Sequence, residues 1–365
     1  MTSARPDLVG PAPLGDAERW RNEVDRRLTG FVGEQRERLS ELGPQLMPLL
    51  DAAVDAVTGG KRLRAAFCYW GWRAAGAADD ARVVSAAAAL ELLHASALVH
   101  DDVMDASDTR RGRPAAHRRF ARLPTAGGWV GRSERFGTGA AILLGDLLLS
   151  WGDELLHRSG FPPERVTAAA PYFDAMRTEV VAGQFLDLVA QSSGRSSVPE
   201  AMRVLRFKAA KYTVERPLHL GAALAGADDA LIAALSSYGV PLGEAFQLRD
   251  DVLGVFGDPD VTGKPAGDDL REGKRTVLIA LADERADERQ RRRIGRLLGR
   301  PDLDDAGVEE LRAVITATGA LSAVETLIRE LTEAAKTSLQ HAPIPDPAVH
   351  QALLGLATAA TRRSW

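Results

Sequence analysis

Three aspartates lie close together at the end of the most apolar segment of the chain, in the sequence HDDVMD at residues 100–105. In a helix, residues four apart lie nearly above each other, so Asp101 and Asp105 share a face and Asp102 lies at its edge. Like charges at this spacing repel unless cations lie between them, and all-oxygen ligands suit Mg²⁺ or Mn²⁺ better than zinc. The cluster predicts a site for hard divalent cations, although by itself it is equally compatible with a solvated helix end.

A second acidic pair, Asp250 and Asp251, also follows an apolar segment, residues 240–248. If both acidic segments face one cavity, the five carboxylates need compensating positive charge. Two or three divalent ions together with a polyanionic ligand would neutralise them. The two pairs together therefore favour a metal-assisted site over two unrelated helix ends.

Two short basic runs supply complementary charge. Lys61 and Arg64 lie three residues apart in GGKRLR at 59–64, and RRGR at 110–113 follows the first acidic cluster. Arginine makes two-point contacts with phosphate, and lysine supplies a mobile point charge. The combination predicts a site for two phosphorylated groups, one held through metal and one held directly by cations.

The segments that must position these residues have helical spacing. Apolar residues recur at steps of three or four in segments 81–104, 165–190, 199–225 and 230–254, and Pro241 is expected to kink or break the last of these. Gly, Pro and Ser predict loops at 123–137, 191–198 and 257–273, and no convincing alternating strand pattern occurs. We predict one all-α domain over residues 16–365 and a flexible leader over residues 1–15.

Composition excludes several classes of protein. Of 365 residues, 26% are charged and 45% hydrophobic, which is ordinary for a globular protein, and the net charge of −4 offers no general attraction for nucleic acid. The longest stretch without Asp, Glu, Lys or Arg, 347–361, is shorter than the roughly 18 apolar residues of a membrane helix, so no span is predicted and a cytoplasmic location is expected. Cys68 is the only cysteine, which excludes an intrachain disulfide.

Four motifs in order resemble the trans-prenyltransferases, the polyprenyl diphosphate synthase family. They are GGKRxR from residue 59, LxxxxLxHDDxxDxxxxRRG from residue 93, GQxxDL from residue 183, and FQxxDDxxG from residue 246 with TGKxxxD behind it. The set spans residues 59–275 with compatible spacing, and it is most similar to bacterial geranylgeranyl diphosphate synthases. The resemblance implies an isoprenoid-synthase bundle of antiparallel helices around a central cavity, homodimer formation, and condensation of isopentenyl diphosphate with an allylic diphosphate.

The resemblance also implies residue roles. The metal site, expected to hold three Mg²⁺ ions or Mn²⁺ with diphosphate bound, comprises Asp101, Asp102, Asp105, Asp250, Asp251 and, as an outer partner, Asp268. The isopentenyl diphosphate site comprises Lys61, Arg64, His94 and Arg111. The groups around the allylic diphosphate are Arg110, Gln184, Lys208, Lys264 and Lys274, with Gln247 as a supporting amide. Two positions depart from the family pattern: Gly254 replaces a third aspartate, and Ala209 replaces a threonine.

Helix geometry indicates where the growing hydrocarbon stops. The chain should lie along the helix before Asp101, so Ser96 and Ala97, about one turn earlier, form a floor. In the family that the sequence resembles, members that stop at fifteen carbons have aromatic residues there, so the resemblance implies that these small side chains permit further elongation. Leu93, Leu90 and Ala89 follow on the next turn. We therefore predict a C20 product, geranylgeranyl diphosphate.

Two other functions fit part of the sequence. A class I terpene cyclase shares the fold and an aspartate-rich site, but Lys61 and Arg64 would then have no second diphosphate to bind. A catalytically silent partner subunit should have lost an aspartate-rich motif, whereas here the first such motif is whole and the second departs only at Gly254.

Overall fold

The computed structural model describes residues 17–257, 267–300 and 302–361. The chain forms α1 (Ala17–Ser40), α2 (Met47–Val57), α3 (Leu63–Ala74), α4 (Ala81–Met104), α5 (Ala116–Gly127), α6 (Ser133–His157), α7 (Pro163–Ser193), α8 (Val198–Leu205), α9 (Arg216–Ala225), α10 (Asp229–Phe256), α11 (Asp268–Glu272), α12 (Val277–Arg285), α13 (Glu288–Leu297), α14 (Asp305–Ala317), α15 (Ala320–Leu339) and α16 (Pro347–Thr361). A short 3₁₀ turn (Pro44–Leu46), a π-helical segment (Arg206–Glu215) and two two-residue strands, β1 (Thr109–Arg110) and β2 (Arg113–Pro114), complete the described elements. The fold is all-helical, as predicted.

Helix α4 is the central element that carries the first acidic cluster. The Asp80 carboxylate accepts a hydrogen bond from the Arg82 N–H and caps the helix start, and every residue from Val83 to Leu93 is buried. Helix α6 lies antiparallel to it, because Gly145 meets His100 near one end and Gly152 meets Ala89 near the other. The aspartates therefore emerge at the end of a rigid, packed helix.

Helix α10 carries the second acidic pair into the same bundle. Its first half packs with α3, α9, α15 and α16, and its second half packs with α8, α11, α12, α14 and α15 in another buried apolar cluster. Burial on both halves fixes the helix along its length, so the position of Asp250 and Asp251 is set by core packing rather than by a loop.

Among the described residues, α4 is long and apolar enough to cross a membrane, and α14 with α15 would pass the same test as a pair bent by 65°. However, 78% of the apolar window of α4 is buried inside the bundle. That burial is what the core helix of a helical domain shows.

Most predicted elements are confirmed, with three differences. Segment 81–104 is α4, and segment 165–190 lies within α7. Segment 199–225 is not one helix but α8, the π-helical segment and α9, and α10 runs through Pro241 without a break. The predicted loop at 123–137 is mostly helical, leaving only residues 128–132 between α5 and α6. The predicted leader lies outside the described residues, and its flexibility and the single-domain organisation stay predictions.

The small β-hairpin is a feature that the sequence pattern did not indicate. Thr109 pairs with Pro114 and Arg110 with Arg113 in antiparallel register. The two turn residues, Arg111 and Gly112, both have positive φ, at 53° and 72°. Positive φ at both central positions matches the twist of a two-residue hairpin turn. The hairpin places two neighbouring arginines on different partners, as described below.

Candidate active site

The first acidic cluster lies at the C-terminal end of α4, where the helix dipole disfavours negative charge. Asp102 is 3% exposed, and its Oδ1 accepts a 2.8 Å hydrogen bond from Arg110 Nε. Asp101 Oδ1 lies 3.6 Å from Lys208 Nζ. Burial and the neighbouring Asp101 charge raise the pKa of Asp105 to about 6, against the opposing effect of nearby lysines. Three carboxylates are thus held where they repel, which is unfavourable unless cations are bound.

The second acidic pair lies at the C-terminal end of α10. Asp251 is 8% exposed, and its Oδ1 accepts a 2.8 Å hydrogen bond from Gln247 Nε2. Burial, followed by the charges of Asp269 and Asp250, raises the pKa of Asp251 to about 7, although the Gln247 hydrogen bond acts in the opposite direction. Gln247 therefore contacts a carboxylate of the second acidic pair, and its role as a supporting amide stays a prediction.

Lys274 connects the two acidic segments. Its Nζ lies 3.0 Å from Asp269 Oδ1 and 2.6 Å from Glu272 Oε2. Burial opposes its charge, but Asp269, Glu272 and Asp105 together raise its pKa well above the ordinary value. The same lysine lowers the pKa of both Asp105 and Asp251. The ends of α4 and α10 therefore share one cationic neighbour, which brings the two predicted halves of the site together.

For the outer acidic partner, the structure favours the neighbour of the predicted residue. Asp268 is partly buried at the first position of α11. It is Asp269 that pairs with Lys274 and acts on Asp251. Its Oδ2 lies only 1.8 Å from where a Cβ at Gly254 would be built, so its carboxylate fills the volume of the missing third aspartate. Asp268 and Asp269 are adjacent and of the same residue type, so the sequence alone does not show which of them faces Lys274.

Lys208 comes from the π-helical segment and lies next to the first cluster. Its Nζ donates to Asp187 Oδ2 at 2.6 Å, and the charges of Asp101 and Asp187 raise its pKa although burial opposes this. A Cβ at Gly183 would lie 2.4 Å from the Lys208 backbone nitrogen, so only glycine allows this approach of α7. Gln184 lies beside Met104, with Nε2 and Sδ 3.9 Å apart. Asp187, the aspartate of the GQxxDL motif, was missed as a site residue although the motif contained it.

The predicted isopentenyl diphosphate residues also converge. Burial, followed by the charges of Arg64, Arg111 and Arg110, lowers the pKa of His94 well below its usual value. The imidazole is therefore neutral and surrounded by guanidinium groups. Its Nδ1 lies 3.3 Å from Tyr212 Oη, and the Tyr212 ring stacks under the Arg64 guanidinium at 4.3 Å. Tyr212 has no signal in the sequence, because it lies 118 residues away from His94.

The other two cations of this group border the same loop. Arg111 Nη1 donates to the Thr58 carbonyl at 2.8 Å, which places Arg111 beside the GGKRLR loop that carries Lys61. Of the other predicted residues, Ser96 is 3% exposed and Ala97 partly buried on α4, whereas Lys264 lies outside the described residues.

Within the described ranges, no three His, Cys, Asp or Glu side chains form a ready-made metal cluster. Guanidinium and ammonium groups lie among the carboxylates instead. The donor set nevertheless fits Mg²⁺, because it is all-oxygen. Burial, together with neighbouring carboxylates, raises the pKa values of Asp105 and Asp251, and a bound cation would offset both effects.

Known proteins match both the sequence and the fold. The polyprenyl synthetase family model matches residues 47–315. A geranylgeranyl diphosphate synthase from Mycobacterium tuberculosis is 37% identical over 278 residues, covering 74% of this chain and 73% of that protein. A geranylfarnesyl diphosphate synthase from Aeropyrum pernix is 31% identical over 327 residues, covering 88% and 93%.

A solved structure extends the likeness to three dimensions. The geranylgeranyl pyrophosphate synthase from Corynebacterium glutamicum, complexed with isoprenyl diphosphate and magnesium, superposes with a TM-score of 0.91 at 41% identity, covering 96% of this chain and all of that one. The sequence matches, the fold and the convergence of acidic and basic residues all indicate the same family. This chain belongs to the polyprenyl synthetase family and is a trans-polyprenyl diphosphate synthase.

Proposed function

We propose that this synthase condenses isopentenyl diphosphate with an allylic diphosphate to give geranylgeranyl diphosphate. The observation that carries the C20 assignment is the pair of small floor residues, Ser96 and Ala97, one turn before Asp101 on α4. Leu93, buried on the preceding turn at 3% exposure, supplies the next obstacle to the growing chain. A cytoplasmic location is part of this proposal.

The residues divide the work between two diphosphates. Asp101, Asp102, Asp105, Asp250 and Asp251 would hold Mg²⁺, with three ions proposed and Mn²⁺ as the alternative. Such ions supply positive charge that stabilises a departing diphosphate. Lys208 and Lys274, partly buried beside the acidic segments, hold fixed positive charge where the leaving diphosphate gains negative charge. No protein base is needed, since the released diphosphate can accept the proton lost after coupling.

The second diphosphate has its own cationic site. Arg64 and Arg111 surround neutral His94, which can donate or accept a hydrogen bond without adding charge. This arrangement holds the alkene of the second substrate next to the allylic carbon, which is a positioning task. Buried alanine and leucine side chains of α4 and α6 exclude water from the reactive cation.

Product analysis tests the proposal. The purified chain is incubated with Mg²⁺, isopentenyl diphosphate and each allylic diphosphate in turn, and the products are separated by length. We expect a C20 diphosphate as the main product. A longer or shorter main product would overturn the C20 assignment, no product would favour the silent subunit, and a cyclic hydrocarbon from one substrate would favour the cyclase. The convergence of Arg64, His94 and Arg111 supports a two-substrate enzyme over a cyclase.

The chain-length floor gives a specific prediction. Replacing Ala97 with phenylalanine fills the path about one turn before Asp101, so the product distribution should shift to C15. Ala97→Ser stays small and should leave the distribution unchanged. The readout is product length at matched conversion, and an unshifted distribution for Ala97→Phe would remove the floor assignment.

We also propose that the enzyme is a homodimer that pairs through α6 and α7. Exposed apolar side chains concentrate on these helices: Leu143 is 63% exposed, Val181 67% and Phe185 65%. A concentration of exposed apolar side chains of this kind marks an interaction surface, and a second copy presents the same apolar chemistry under two-fold symmetry.

Charges placed in this face should prevent pairing. Leu143→Asp and Phe185→Asp should each shift the protein from dimer to monomer at micromolar concentration, because a buried unpaired carboxylate is costly. Leu42→Asp, at an apolar residue 71% exposed outside the face, serves as the control. Light scattering after size exclusion reads out the mass. A monomeric wild type, or face variants that stay dimeric, would contradict the proposed interface.

A further inference from the structure

Arg62 belongs to the basic run at 59–64, but its side chain points into the bundle and is only 4% exposed. Its Nε donates to Asp25 Oδ1 at 2.7 Å, its Nη1 to Glu91 Oε2 at 3.3 Å, and its Nη2 to the Val57 carbonyl at 2.5 Å. One guanidinium therefore joins α1, the last turn of α2 and α4 at the start of α3.

Glu91 extends this junction. Its side chain is 4% exposed, and its other oxygen, Oε1, accepts a hydrogen bond from the Ala65 N–H at 3.2 Å. That N–H is one of those in the first turn of α3 that lack a partner within the helix. A buried ion pair adds little stability over a well-packed apolar cluster of equal volume. The specific contribution of this ion pair is geometric, because the planar guanidinium can donate to all its partners in only one arrangement.

The backbone shows that the loop is held in a specific shape. Arg62 has φ 52° and ψ 38°, a left-handed conformation that is uncommon without glycine and persists where the surroundings over-determine it. From the other side, Arg111 Nη1 donates to the Thr58 carbonyl at 2.8 Å. The loop is therefore held by hydrogen bonds of both Arg62 and Arg111. Lys61 and Arg64 lie on either side of Arg62 in the sequence.

We infer that Arg62 is a positioning residue for the isopentenyl diphosphate site. It anchors the 58–62 loop to Asp25, Glu91 and Val57, so that the charges of Lys61 and Arg64 are fixed before substrate binds. This role rests on the proposed function, since it assigns that loop to the second substrate. Pre-organised cations lose less conformational freedom on binding than mobile ones, so loss of the anchor should weaken binding of this substrate selectively.

Arg62→Lys tests the role, because lysine keeps the charge but cannot reach three partners in a fixed plane. We expect the KM for isopentenyl diphosphate to rise at least tenfold, while the KM for the allylic diphosphate stays within twofold and kcat within threefold. Arg216→Lys is the matched control, because Arg216 makes a two-point ion pair with Glu179, away from the loop. It should leave both KM values unchanged.

Three results would overturn the role. These are an isopentenyl diphosphate KM within twofold of wild type in folded Arg62→Lys, an equal change in both KM values, or the same change in Arg216→Lys. If Arg62→Lys does not fold, Asp25→Asn removes one anchor from the more exposed side and should raise the same KM at least threefold; an unchanged KM there overturns the role.

Calorimetric titration of the full chain with isopentenyl diphosphate alone separates failure of the anchoring role from failure of the proposed function. If the wild-type protein shows no synthase activity, isopentenyl diphosphate that binds more tightly to wild type than to Arg62→Lys still supports the anchoring role. Equal binding to the two proteins, or no detectable binding to wild type, overturns it.

Discussion

Replacing Asp101 or Asp250 with alanine should lower kcat about 10³-fold, as expected when charge stabilisation of a leaving group is lost. Asp101 lies beside Lys208, and Asp250 belongs to the pair that lies near Lys274. The diphosphate would leave between these groups. The fold should be kept, because each change removes negative charge from the C-terminal end of a helix, where the dipole disfavours it. Steady-state kinetics at saturating Mg²⁺ and substrates measure the effect, and thermal unfolding checks the fold.

Asp302→Ala is the control for these two changes. Asp302 is exposed and pairs with Arg300 at 2.8 Å, outside the acidic segments. Its replacement should leave kcat unchanged. If Asp101→Ala and Asp250→Ala both keep kcat within tenfold of wild type, the proposed metal roles are wrong.

Restoring the family aspartate at Gly254 should reduce activity rather than increase it. A Cβ at this position would lie 1.8 Å from Asp269 Oδ2, so the side chain cannot be added without moving that carboxylate. A further carboxylate would also raise the negative charge beside Asp251, whose pKa is already raised to about 7. We expect Gly254→Asp to lower kcat/KM by about 10- to 100-fold, the effect of a displacement of about 1 Å in a catalytic site.

A double variant separates the steric clash with Asp269 from any general effect of replacing Gly254. Gly254→Asp combined with Asp269→Ala returns to one carboxylate in this volume and should regain activity relative to Gly254→Asp alone. Gly295→Asp is the control, because the ideal Cβ of Gly295 meets no atom within 4 Å. Equal or higher activity of Gly254→Asp relative to wild type would show that Asp269 does not fill the position of the third carboxylate.

The Gly254 position shows what residue spacing in the sequence can and cannot predict about the site. As a departure from the family motif, it kept a silent subunit in consideration. In the folded chain the carboxylate of Asp269 on α11, fifteen positions further along, occupies the space beside Gly254. Spacing within one helix cannot reveal this contact, because the two residues meet only when α11 packs on α10.

The sequence by itself determined the all-helical fold, the acidic helix ends and the family. These depend on the 3.6-residue period and on motifs within single segments, which local spacing encodes. Packing decided the rest: the choice of Asp269 over Asp268, the shared neighbour Lys274, Tyr212 beneath His94, and the π-helical segment that carries Lys208. Each depends on side chains or backbones from different helices meeting in the core, and such contacts depend on how complete helices fit together rather than on the order of neighbouring residues.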